Sequence, residues 1–238
     1  MYETSVESSA TSTPTVRRPG SRLARLRASH SFRLVLLLVV VTFVFTSAAP
    51  DEGWARSVLV LLQCATLIAA LWTSGLGRDR AAIWALAVIS LTVAIVQLLV
   101  GGTTLSGIAG ILNMLLVAAT IVVIAIGVLD QGEVNRQSIT GAICIYVLLG
   151  ICFTFIYAAA AELGSGPFFA QGTDGTLSLQ LYFSYVTLAT LGYGDYTAAG
   201  TFGHTMAISE ALLGQLYLVT VVALLVGNLS HQRASQRP

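Results

Sequence analysis

Residues 187–195 read Thr187-Leu188-Ala189-Thr190-Leu191-Gly192-Tyr193-Gly194-Asp195, TLATLGYGD, and they interrupt a chain otherwise dominated by Leu, Val, Ile and Ala. How this break is read decides the fold. Non-helical backbone at membrane depth is tolerated only where protein buries it or where it lines a water-filled path, because unsatisfied peptide groups cost several kcal/mol. Gly192 and Gly194 flank Tyr193, and glycine reaches positive φ without steric penalty, so alternating handedness can turn successive carbonyls to one side of the strand. A row of aligned carbonyl oxygens is a cation site.

The surroundings support a membrane setting. Of 238 residues, 55% are hydrophobic and only 10% charged, with a mean hydropathy of +0.82, whereas soluble domains carry about 25% charged residues. The formal net charge is +1, which offers nothing to nucleic acid. Cys64, Cys144 and Cys152 lie inside apolar segments without metal-site spacing, and read as small packing residues. His30, His204 and His231 are scattered, and no Ser or Cys has a base and an orienting acid at hand, so hydrolase and metalloenzyme readings are rejected and no organic cofactor is expected.

Six apolar segments, 32–49, 57–72, 81–100, 105–129, 139–161 and 202–226, are each long enough for a transmembrane helix. The stretch 176–189 is apolar but too short to cross about 30 Å at about 1.5 Å per residue, so it is expected to enter and turn back. Residues 1–31 are rich in Ser, Thr and Arg and read as a disordered basic cytoplasmic tail that anchors to anionic lipid headgroups. The basic residues are all Arg, and 11 of the 12 fall on one side of this layout, leaving Arg56 opposite with Asp51, Glu52, Glu162, Asp174 and Asp195. The positive-inside rule then makes both termini cytoplasmic in a multi-pass protein of the cell membrane. The fold class is an all-α membrane protein: six transmembrane helices with a re-entrant pore helix and loop between the fifth and sixth.

One chain supplies one row of carbonyls, and only copies around an axis close it into rings that replace a dehydrated cation's water, so a homotetramer is expected. TLGYGD closely resembles the TVGYG signature loop of potassium channels, of the bacterial type, and the resemblance covers about 139–229. It implies K+ sites at the Thr190 hydroxyl and at the carbonyls of Thr190, Leu191, Gly192 and Tyr193, with Gly194 at the outer end, Asp195 at the pore mouth and Gly214 as the inner-helix hinge. It also implies a tetrameric voltage-gated-like architecture: a sensor-like four-helix domain (32–129), a cytoplasmic linker (130–138), a pore domain (139–229) and a short cytoplasmic tail (230–238). Departures are Leu191 for the common Val, Val186 where some members have a carboxylate, and Tyr182-Phe183 for a frequent Trp-Trp pair. Phe183 has no donor for the Tyr193 hydroxyl, which leaves Tyr182 or Tyr185 to brace the filter.

The segment 105–129 carries no Arg, so moving it through a potential does no electrical work, and no usual voltage sensor is expected. Glu210 is the one carboxyl inside an expected transmembrane helix and reads either as a hydrogen-bonded support behind the filter or as a group tuning occupancy or sensing protons. Gln215 is either cavity-facing or an interhelical amide contact, and Gln63, Gln97 and Asn113 read as interhelical glue. His204 reads as a solvated side chain. The sequence therefore implies passive potassium conduction, with a weakly selective cation channel and a secondary transporter as rivals; the transporter lacks an evident internal repeat.

Overall fold

In a computed structural model of the chain, residues 22–50, 52–74, 81–100, 103–130 and 136–234 are described. They form α1 (Arg22–Ala48), α2 (Gly53–Thr73), α3 (Ala81–Val100), α4 (Thr103–Leu129), α5 (Arg136–Leu163), α6 (Leu177–Leu188) and α7 (Gly200–Ala234). Four of these, α2, α4, α5 and α7, are long and apolar enough to cross a membrane, while α1 and α3 hold the shorter apolar stretches Phe32–Ala48 and Trp84–Val96. Hydroxyls inside the helices are satisfied locally: Thr42, Thr46, Thr66, Thr120 and Thr154 each donate to the carbonyl four residues back at 2.7–2.8 Å.

Three helices run past their expected ends. α1 starts at Arg22, inside the stretch expected to be a disordered tail; residues 1–21 of that stretch lie outside the described residues. α5 starts at Arg136 in the expected linker, and α7 continues to Ala234 beyond the expected end of the pore domain. The reason is physical: Arg, Gln, Leu and Ala propagate a helix well, and its backbone needs no apolar environment once nucleated.

The largest helix–helix contact joins α4 to α5, and it depends on small residues. A Cβ on Gly110 would come within 3.2 Å of Ala159 Cβ, and one on Gly141 within 2.5 Å of Val128; close backbone approach of this kind is how membrane helices gain packing without a hydrophobic drive. α1 packs on α2, α5 and α6, and α2 on α3 and α4. Polar links reinforce the contact of the first helices with the later ones. Arg56 Nη1 lies 3.0 Å from Glu162 Oε1, Ser178 Oγ donates to Ser47 O at 2.8 Å, and the Phe43 and Tyr185 rings meet edge to face at 5.0 Å. The four-helix half therefore sits on α5 and α6 of its own chain.

Among the described residues α7 touches only α5 and α6. Half of the most apolar stretch of α5 is buried within the chain, against 11% for α7. Ile208, Leu212, Leu216 and Val219 on α7 are all exposed. The expected amide contacts are not made by Gln63 or by Asn113 Oδ1, which are buried without a hydrogen-bond partner among the described residues. The Gln97 side chain lies outside the described residues.

Candidate ion-conduction filter and its braces

α6 begins at an N-cap, Thr176, whose side chain accepts from Leu179 N at 3.2 Å. Its 12 residues span about 18 Å, too little for a bilayer, and it ends at Leu188 where the chain leaves helical geometry. The helix places its C-terminal carbonyls, with roughly half a negative charge, beside the start of the loop.

The loop has a regular backbone alternation. Thr190 (φ 56°), Gly192 (56°) and Gly194 (77°) take positive φ, and Leu191 and Tyr193 between them do not. Thr190 N–H donates to Thr187 O at 2.9 Å, Leu191 N–H to Val186 O at 2.9 Å, and Gly192 N–H to the same oxygen at 3.4 Å. In a trans peptide the N–H and the preceding C=O point in opposite directions. The carbonyls of Ala189, Thr190 and Leu191 therefore face away from α6, on the free side of the strand. Glycine takes such a conformation without cost, but Thr190 is β-branched, and its positive φ stores about 1–3 kcal/mol that the surroundings must hold.

Several contacts hold it. Val186 is buried behind the loop and supplies the shared acceptor. Tyr182 Oη donates to Asp195 Oδ2 at 2.7 Å, tying the outer end of the loop back to α6. Tyr185 is turned the other way and donates to Val147 O on α5 at 2.6 Å, over Gly150, where any Cβ would collide with its ring. Phe183 packs edge to face against Tyr157 at 5.1 Å and Phe169 at 5.4 Å. The exit strand is pinned to the loop after α5 by Ala170 N–H to Thr197 O (2.9 Å) and Ala199 N–H to Phe168 O (2.6 Å).

On α7, Gly214 is buried against the end of α6, where a Cβ would collide with the Leu188 carbonyl oxygen. Glu210, one turn earlier, is fully buried. Its Oε2 is 2.5 Å from Tyr157 Oη on α5 and its Oε1 is 2.5 Å from Ser184 Oγ on α6. Ser184 Oγ in turn lies 2.8 Å from Gly150 O. Gln215 and His204 are exposed in the single chain.

Thus Tyr182, Phe183, Val186 and the residues from Thr190 to Asp195 gather around one loop, Glu210 and Gly214 stand behind it, and Gln215 stands apart. Sequence reasoning missed Thr190 as a strained position, and missed Tyr157, Ser184 and Gly150 as the surroundings of Glu210. Among the described residues no group of His, Cys, Asp and Glu gathers to hold a metal ion.

A helical bundle with four helices apolar enough to cross a membrane, and a short helix running into a loop with carbonyls on its free side, is consistent with a membrane channel. Residues 163–231, from the end of α5 through most of α7, match the family model Ion_trans_2, described as an ion channel. This stretch is similar to an ion-channel domain, which points to a channel and not to an enzyme. Comparison with curated proteins gave no match.

Proposed function

We propose that the protein is one subunit of a homotetrameric potassium-selective channel that conducts K+ passively through rings of carbonyl oxygens from Thr190, Leu191, Gly192 and Tyr193. The observation that carries this reading is the alternation of positive φ at Thr190, Gly192 and Gly194, with the N–H groups of Thr190, Leu191 and Gly192 bonded back to α6. That alternation is what a strand needs to present successive carbonyls on one side, and carbonyls at fixed spacing replace the hydration shell of a dehydrated cation. The exposed apolar face of α7 and the exposed Leu191 and Tyr193 support assembly around an axis, since a single chain leaves them uncovered.

In this reading the multi-pass chain keeps both termini cytoplasmic, with the basic N-terminal stretch near anionic lipid headgroups. α4 carries no charged side chain between Leu105 and Leu129, so the channel is not opened by a conventional voltage sensor. The test is reconstitution of the purified protein and single-channel recording under opposed potassium and sodium gradients. Unitary currents reversing near the potassium equilibrium potential are expected. A reversal near zero replaces the reading with a weakly selective cation channel, and flux without unitary currents replaces it with a transporter.

A further inference from the structure

Tyr157 on α5, Glu210 on α7 and Ser184 on α6 form a buried chain of oxygens that ends on the Gly150 carbonyl of α5. Its successive O···O distances are 2.5, 2.5 and 2.8 Å. Each contact at such a distance needs one proton between its oxygens. Tyr157 brings one proton and Ser184 brings one, and the Gly150 carbonyl brings none. Ser184 has a single hydroxyl proton and cannot donate to both Glu210 and Gly150. The third proton can come only from the carboxyl.

We infer that Glu210 is a neutral carboxylic acid that donates through Oε1 to Ser184 Oγ, leaving Ser184 free to donate to Gly150 O while Tyr157 donates to Glu210 Oε2. Glu210 is thereby a positioning residue for the filter: it fastens the inner helix to the pore helix two residues before Val186, whose carbonyl holds the Leu191 and Gly192 N–H groups.

The surroundings agree with an uncharged group. Glu210 and Ser184 are fully buried. Among the described residues, the titratable side chains that face Glu210 are Tyr146, Cys152 and Tyr157 from α5 and Tyr185 from α6. All are neutral acids, and none is a cation that would compensate a buried carboxylate, which is too costly to keep without a partner. With a carboxylate, the Ser184–Gly150 contact would set two lone pairs against each other at 2.8 Å. With the acid, all three contacts are proper hydrogen bonds and no charge is buried.

The role assigned to the filter rests on the channel reading above; the protonation of Glu210 does not. Glutamine reproduces the neutral acid, with one N–H donor for Ser184 and a carbonyl acceptor for Tyr157, whereas leucine and aspartate do not span the same pair. In reconstituted wild-type protein, infrared difference spectra against Glu210→Gln are expected to show the C=O stretch of a protonated carboxylic acid, shifted in D2O. Glu210→Gln is expected to keep unitary conductance and open-burst duration within twofold of wild type, while Glu210→Leu and Ser184→Ala each shorten bursts at least fivefold. A carboxylate band in place of the acid band overturns the inference even if every variant conducts. Glu210→Gln as impaired as Glu210→Leu overturns it too. Should Glu210→Leu fail to fold, Ser184→Ala and the spectrum decide. Should the currents fail to select potassium, the functional reading falls while the infrared band still decides the state of Glu210.

Discussion

A single atom decides the close approach of α7 to α6 at Gly214. A Cβ on Gly214 meets the Leu188 carbonyl oxygen, which belongs to the rigid end of α6 and cannot swing aside. Gly214→Ala is therefore expected to lower the melting free energy by about 1–3 kcal/mol, the usual cost of overpacking, and to abolish unitary currents; thermal unfolding in detergent and bilayer recording check both. At Gly192 the φ of 56° is the obstacle and nothing lies within 4 Å of an added Cβ. Gly192→Ala should then leave the fold intact at about 1–2 kcal/mol of local strain, yet relax the loop and shift the reversal potential toward zero. Tyr182→Phe removes one hydrogen bond to Asp195 at an exposed position. Little loss of stability is expected, because the bond is exposed to solvent, with altered burst kinetics. Much of this scale was legible in the sequence, since the glycines declare their conformation. Thr190 was not, because its positive φ is imposed by the N–H bonds to Thr187 and Val186 that only the folded loop makes.

At the scale of elements, α6 is fastened on three sides. It touches α1, α5 and α7, and its side chains reach all three through Ser178, Tyr185 and Ser184. Gly150 is the joint on which two of these depend: its carbonyl meets Ser184, and the ring of Tyr185 lies where its Cβ would be. Gly150→Ala should push Tyr185 off α5 and cost about 1–3 kcal/mol, read as a fall in thermal stability together with loss of conduction. By contrast the Arg56–Glu162 pair is only partly buried, and breaking it with Arg56→Gln should cost no more than about 1 kcal/mol. The existence and order of these helices could be read from apolar length alone, and the re-entrant helix from its shortness. Their ends could not, because α1, α5 and α7 run on into polar sequence that hydropathy marks as outside the membrane. Nor could the partners of Glu210, since Tyr157 and Ser184 are 53 and 26 residues away from it and periodicity carries no information about which helices will meet.

For the molecule as a whole, the four-helix half is joined to the α5–α7 half chiefly by packing, with the Arg56–Glu162 ion pair added to it. α4 has Asn113 as its one strongly polar side chain and no arginine, so open probability measured across a range of voltages should change no more steeply than the filter's own kinetics allow. The packing of α4 on α5, of α1 on α5 and α6, and of Arg56 against Glu162 all lie within one chain. This has a consequence for how the assembly is made. In the homotetramer proposed above, a subunit packed this way would make these contacts within its own chain and bring its exposed α7 face and filter strand to its partners. Assembly would then be the docking of preformed bodies, dependent on concentration, with the α7 face deciding which copies are admitted.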